Sequence, residues 1–411
     1  MPFQRRKALL FLAFAILVGT IAALVDRGKI MTPEITVPYF SGAALGSGSS
    51  NWEFNRNEVD KLKKINDIAD PALRKSLIND YRFSTQRAEV RSYHLNQPGL
   101  VYCIRLARFL FGFAGDILAL KFLQLLLHIL GCFIILNLLK TARAQTVFLV
   151  LYALNPFIIY LTLFPFYYFW QVIPSFLIII LLLNDRTQTI SAIIFSVFLL
   201  AFMYLIRVTV APISLLILLI GFRKLSWGIR IPAVLVYLLL VFWMQPSYLS
   251  KHPGHVMYSS LGAYPGSPVR GFSDNISFED YNLATKKNYS YDTNPGMYDS
   301  EVIMGEAKWG YEQFKNFALE HPLIIIRNAG LNFFEAFSFG YLTKSIWLTY
   351  LSAFIGMLYF SLLVWRRKWL SIILITTAAS AYVLYLAPVP IYLFGSYVLL
   401  VFGGTEMVSS K

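Results

Sequence analysis

The chain has 411 residues, 57% hydrophobic and 16% aromatic but only 14% charged. A soluble domain carries about a quarter charged residues, so composition excludes an ordinary soluble enzyme and predicts an all-α polytopic membrane protein. The formal net charge of +14 sits largely in short clusters beside apolar runs, the pattern of cytoplasmic loops, so nucleic acid is not an expected partner.

Arg5, Arg6 and Lys7 precede an apolar run over 8–25. A signal peptide is the competing reading, but the run is long and lacks a small-x-small cleavage site in a polar flank. It is read as a first span with the N-terminus in the cytoplasm. Residues 26–115 then form a long external segment. It opens on the Gly/Ser-rich stretch SGAALGSGSSN, which suggests a flexible loop. In NEVDKLKKINDIA, the spacing of Val59, Leu62, Ile65 and Ile68 predicts an amphipathic helix, with Asn57 as its cap and Asp60 in its first turn. HLNQPGLVYCIRLARFLFG places Arg105 and Arg108 on one face and aliphatic residues on the other, which predicts a helix lying in the membrane interface.

Further spans are predicted over 116–139, 146–164, 172–183, 190–206, 208–221 and 231–244. After a second long external segment, 245–345, come spans over 346–365, 370–386 and 391–402. With the first span this makes about ten, several shorter than the ~20 residues a bilayer calls for. The chain thus divides into 1–25, 26–115, 116–244, 245–345 and 346–411. The basic clusters at 5–7, 140–143, 186, 223–230 and 366–368 all fall on one side, and both long segments fall on the other. Both termini are then cytoplasmic, and the expected location is a bacterial inner membrane. Cys103 and Cys132 give neither a disulfide framework nor metal spacing.

Candidate chemistry lies at the external ends. Arg207, in LIRVTVAP, breaks the positive-inside pattern. An arginine at that depth is kept for a partner such as a carboxylate or an anionic ligand, or it snorkels to headgroups. Tyr167, Tyr168 and Trp170, in PFYYFWQVIP, are either interfacial belt anchors or the walls of a cavity that takes a sugar ring or an isoprenoid tail. In the first segment, Glu53 is flanked by Trp52 and Phe54, where partial burial would raise its pKa toward that of a general base. Glu58, Asp60 and the other carboxylates there are otherwise a solvated helix face. The second segment supplies His252, His255, Arg270 and Asp274. Its KHPGH is read as a turn, with the histidines and arginine suited to phosphate oxygens rather than to zinc. EAKWGYEQFKNFALEHPLIIIRNAGLNFFEAF is read as a helix, a break at His321-Pro322 and an interfacial helix.

A basic N-terminus with one span, a long first external segment closing on QPGLVYCIRLARFLFG, a helical bundle and a late FALEHPLIIIRNAGLNFF together resemble the GT-C class of membrane glycosyltransferases. That class includes protein O-mannosyltransferases, oligosaccharyltransferase catalytic subunits and aminoarabinose transferases. The resemblance implies a polyprenyl-phosphate or polyprenyl-diphosphate sugar donor and a glycan, lipid or protein acceptor. It also implies an acidic residue shortly after the first span, which by position falls on Glu53, Glu58 or Asp60. Glu53 or Asp60 is then the expected base, with Asp274 as a second acid. Arg207, His255 and Arg270 would bind phosphate, and a divalent cation stays open as cofactor. Two alternatives remain: a surface-polysaccharide polymerase or ligase, and a lipid or solute transporter, which would place charged or broken-helix sites near mid-membrane.

Overall fold

The computed structural model describes residues 2–30, 32–46, 51–86, 90–94, 97–244, 253–273, 275–290, 299–343, 345–383 and 386–409. They are almost entirely helical. The first helix, α1 (Pro2–Val25), is apolar from Ala8 on and packs its Phe11 and Phe14 rings on Phe133.

Residues 26–115 share one continuous apolar core with the helices that follow. They comprise α2 (Pro33–Leu45), strand β1 (Asn51–Asn55), α3 (Arg56–Asn66), α4 (Pro71–Asn79), strand β2 (Val90–His94) and α5 (Gly99–Leu110). The strands pair antiparallel, with Glu53 opposite Ser92. This ladder departs from the expected all-α fold. A second correction concerns residues 41–45, expected in a flexible loop: they form the last turns of α2, with Ser41, Gly42 and Ala43 buried. Small residues there let α2 sit close among its neighbours, and Gly46 ends the helix at φ 73°, where a Cβ would be strained. The α3 stripe buries Val59 and Leu62 as the spacing predicted, but the helix begins at Arg56, so Asn57 lies inside it rather than capping it. The amphipathic α5 turns Leu100, Val101, Ile104 and Ala107 inward and leaves Tyr102, Leu106 and Phe109 exposed, the two-faced form an interfacial helix requires.

The apolar helices follow: α6 (Asp116–Leu138), α7 (Ala142–Phe148), α8 (Pro156–Thr162), α9 (Val172–Leu183), α10 (Ile190–Ile206), α11 (Ala211–Leu216) and α12 (Trp227–Met244). A π-helical turn, Leu149–Ala153, joins α7 to a 52° bend before α8. The bend has two local causes: Pro156, which has no N–H to donate, and Asn155, whose side chain caps the next helix through Phe157 N. By length and composition, four helices in the described residues can cross a membrane: Lys7–Val25, Asp116–Leu138, Trp227–Met244 and Ile346–Trp365. The bent pair makes a fifth, and five shorter apolar helices accompany them.

Segment 245–345 holds α13 (Gly254–Leu261), α14 (Ile276–Thr285), α15 (Ser300–Glu320) and α16 (Pro322–Glu335). The break between α15 and α16 falls at His321, as the sequence predicted. KHPGH does not end in a turn; His255 stands in the first turn of α13. Helices α17 (Ile346–Trp365), α18 (Trp369–Val383) and α19 (Phe394–Ser409) complete the chain, with α19 seated on α7, α9 and α18. Three connecting segments meet above this bundle. Tyr341 N donates to Pro388 O at 2.9 Å, Tyr341 Oη donates to Ala263 O at 2.8 Å, and Tyr397 Oη donates to Phe339 O at 2.9 Å.

Candidate functional site

Helix α10 ends because Arg207 adopts extended backbone (φ −156°, ψ 111°), after which a short 3-10 turn leads into α11. That break turns the side chain inward. Arg207 is only 7% exposed, so it does not snorkel to headgroups. Its Nε and Nη2 donate to Tyr382 Oη at 3.2 and 3.0 Å. The guanidinium carbon lies 4.7 Å from the Tyr168 ring centroid, 4.8 Å from Tyr167, 5.6 Å from Tyr392 and 5.9 Å from Tyr382. Tyr382 is held in turn by Gln171 Oε1 at 3.1 Å, by Thr209 Oγ1 at 2.8 Å and by stacking on Tyr392 at 5.5 Å.

The aromatic residues 165–171 therefore point inward as a cage, not outward as a belt. Trp170 departs from its expected place at a cavity mouth: it is buried at 5% exposure, edge-on to Phe169. Arg207 has no carboxylate within ion-pair distance among the described residues. Ring faces attract a cation by about 0.5–2 kcal/mol each. Taking an unpaired ion out of water costs several kcal/mol even after relaxation. The cage holds the cation but leaves its charge uncompensated, a setting that favours an anion beside it.

Segment 26–115 reaches this centre through α2 and α5. Tyr39 stands edge-on to Tyr167 at 6.4 Å and donates from Oη to Gln97 Oε1 at 2.6 Å. A Cβ on Gly99 would meet the Ile206 backbone nitrogen at 2.8 Å, so only glycine lets α5 come this close to the end of α10. Several carboxylates of the segment and of the start of α6 are engaged elsewhere. Glu58, buried at 2% exposure, accepts from Tyr81 Oη and from Ser84 N, and burial with this carboxylate beside it pushes the Tyr81 phenol far above its ordinary range. Asp116 accepts from Phe83 N at 2.8 Å and pairs with Arg108 at 3.1 Å. Asp26 pairs with buried Lys121 at 2.9 Å, and Glu34 pairs with Lys63 at 2.6 Å.

Segment 245–345 contributes from α16. The helix carries Asn328, Asn332 and Glu335 on one buried face. Glu335 is fully buried; Tyr264 Oη lies 2.9 Å from its Oε1 and 2.7 Å from Asn332 Oδ1. Its other oxygen, Oε2, is buried with no hydrogen-bond partner. Burial pushes this carboxyl up from its ordinary 4.5 to about 8, only partly offset by the Tyr264 hydrogen bond. Asn332 Nδ2 donates to Val383 O at 3.3 Å, next in the chain to Tyr382, so the Glu335 group and the Arg207 cage share the end of α18. No signal for Glu335 was drawn from the sequence. The spacing of 328, 332 and 335 is nonetheless a polar stripe on an otherwise apolar helix.

Of the other expected residues, those whose side chains the structure describes take no part in the cage. Asp60 is exposed on α3 and is not in the first turn, where Glu58 stands instead. Glu53 lies on β1, where its place in the ladder is described. Asp274 and His252 lie outside the described residues. His255 Nδ1 meets the fully buried Glu306 at 3.1 Å, and Glu306 also accepts from Ser277 Oγ, so His255 is committed to a local network rather than presented beside Arg207. Arg270 is exposed and pairs with Asp280 at 2.9 Å and Glu279 at 3.8 Å. Among the described residues no three His, Cys, Asp or Glu side chains gather as a metal site. Compared with protein-family models, with curated proteins and with solved structures, the chain matches none.

Proposed function

We propose that the chain is an integral-membrane glycosyltransferase of GT-C-like architecture, moving a sugar from a polyprenyl-phosphate or -diphosphate donor to a glycan, lipid or protein acceptor. In this reading its ten apolar helical segments all cross a bacterial inner membrane, with both termini cytoplasmic and residues 26–115 and 245–345 outside. The observation that carries the reading is buried Arg207 inside four tyrosines, with no carboxylate beside it among the described residues, at a junction of apolar helices with segments 26–115 and 245–345. A sugar phosphate on a lipid tail meets each feature. Arg207 neutralises the phosphate as it becomes the leaving group, which is electrostatic stabilisation of developing charge. Tyr167, Tyr168 and Tyr392 offer ring faces to the sugar, and the surrounding apolar helices take the tail.

The reading is tested by giving purified protein a polyprenyl-phosphate sugar with mixed glycan and lipid acceptors and following release of polyprenyl phosphate. Release by the wild type and its loss in Arg207→Gln are expected. Undiminished release in Arg207→Gln would overturn the assignment. Translocation of intact donor across proteoliposomes without cleavage would instead make the protein a transporter.

A further inference from the structure

Glu335 closes α16 fully buried, with Tyr264 Oη 2.9 Å from Oε1 and no hydrogen-bond partner on Oε2. The same Tyr264 oxygen lies 2.7 Å from Asn332 Oδ1, and Asn332 Nδ2 donates to Val383 O. A phenol has one proton, so it cannot serve both acceptors at once. With Glu335 ionised, either Oε1 or Asn332 Oδ1 goes without a donor, and the second carboxylate oxygen stays bare. With Glu335 protonated, its O–H donates to Tyr264, Tyr264 donates to Asn332, and Asn332 donates to Val383. What remains unpaired is then one neutral carbonyl oxygen. The chain of hydrogen bonds closes only with the proton in place.

Nothing nearby replaces that proton. Among the described residues no Lys, Arg or His lies within ion-pair distance of Glu335. The titratable groups around it are Tyr264, Tyr341 from the segment after α16, and Tyr350 from α17; α18 is reached through Asn332 at the Val383 carbonyl. Burial accordingly pushes the carboxyl up to about 8. A recess lined by Tyr264, Asn328 and Asn332 has room for about one water. Glu335 is not in its lining, so with Tyr264 seated that water does not hydrate the carboxylate.

Tyr264 belongs to a strap, residues 262–272, that runs along α16. A Cβ on Gly266 would touch Ile324, Pro265 O accepts from Arg327 Nη2 at 2.6 Å, and Tyr264 reaches Asn332 and Glu335. Gly266 makes the turn at φ 98°, a conformation that favours glycine. The other fastenings are the Tyr341 Oη bond to Ala263 O and the Phe272 ring on Tyr341 at 5.5 Å. Of all these contacts, only that at Tyr264 depends on a carboxyl proton.

We propose that the strap is a proton-operated latch, seated along α16 while Glu335 is protonated and released at Tyr264 when the proton leaves. Loss of the proton creates a buried carboxylate short of donors, and moving Tyr264 aside lets water supply them. The latch works whatever reaction the protein performs.

Hydrogen–deuterium exchange of the full chain in lipid nanodiscs tests it, each amide's rate being divided by its unstructured rate at the same pH. Protection of the strap amides in the wild type should fall, by up to about tenfold per pH unit, between 4.5 and about 8. Above that it should level off, because Glu335 is then ionised in the seated strap as well. Helix α15 should keep its protection throughout. Glu335→Gln, whose amide still donates to Tyr264, should hold the strap protected at every pH. Tyr264→Phe should lower strap protection about three- to tenfold at the acid end, the worth of one hydrogen bond, and lose the slope. A wild-type slope that survives in Glu335→Gln, strap protection independent of pH in the wild type, or an equal loss of protection in α15 would overturn the proposal.

Discussion

Segments 26–115 and 245–345 handle most of their buried charge differently, with buried Glu58 and its neutral partners Tyr81 and Ser84 an exception in the first. In residues 26–115 and the helix that follows, several acids meet a cation: Asp26 with Lys121, Asp116 with Arg108, Glu34 with Lys63. In the second segment the two fully buried acids, Glu306 and Glu335, meet Ser277 and His255 in one case and Tyr264 in the other. Matched pairs fix geometry, because removing one partner strands the other charge. Glu335, left among neutral groups, is raised by burial to where it can change protonation state. The first segment therefore reads as scaffold that brings Tyr39 and Gly99 to the cage, and the second as the part that handles protons.

Arg207→Gln should break this contrast most visibly. Turnover is expected to fall ~100- to 1,000-fold, as when a donor to a developing anion is lost. Thermal stability in detergent should hold or rise, since a buried unpaired cation is removed; a collapse of stability would mean that Arg207 is structural. On the scaffold side, Lys121→Met should cost about 3–5 kcal/mol by stranding Asp26. The double variant Asp26→Asn, Lys121→Met should recover most of that, measured by chemical denaturation. Without recovery, the pair is not the scaffold element described.

Glu335 should act through pH. Its carboxyl is raised when folded, so the folded state holds the proton more tightly than the unfolded one. Glu335 therefore lets stability fall as pH rises from about 4.5 to about 8, and adds no slope above that. The wild-type melting temperature should decline over that window and Glu335→Gln should flatten the decline; equal slopes would rule out its titration. The smallest effect is expected at exposed Asp60, where Asp60→Asn should change stability by no more than about 0.5 kcal/mol. A large loss of turnover there would place the base on α3.

What could be read from the sequence follows from which physical signals are local. The positions of α3, α5, α15, α16 and the apolar helices were visible because apolar runs, basic flanks and the His321-Pro322 break act within a few residues, whereas α4, α13 and α14 carry no such signal. Arg207 was visible for the same reason, as a charge where the local pattern disfavours one. Its cage was half visible. Tyr167 and Tyr168 lie in one aromatic cluster, but Tyr382 and Tyr392 join only by tertiary packing. Glu335 was missed because its burial, unlike its spacing, depends on Tyr264, 71 positions away. The last turns of α2 were mistaken for a loop because glycine and serine serve two ends, freedom in a linker and close approach in a packed helix.

The glycine contacts of the second segment have a mechanical consequence. A Cβ on Gly254 would collide with Ala307 O, and one on Gly310 would crowd Gly254 O, so α13 and α15 meet backbone against backbone. Helices in such contact cannot slide past one another, and they form a stiff beam ending at the His321 elbow. Beyond the elbow, α16 is the lever arm. Its 14 residues span roughly 20 Å at 1.5 Å each, from Pro322 at the beam to Glu335 beside the tyrosine cage. A small rotation of the beam thus becomes a displacement at the far end, where the unpartnered carboxylate oxygen lies.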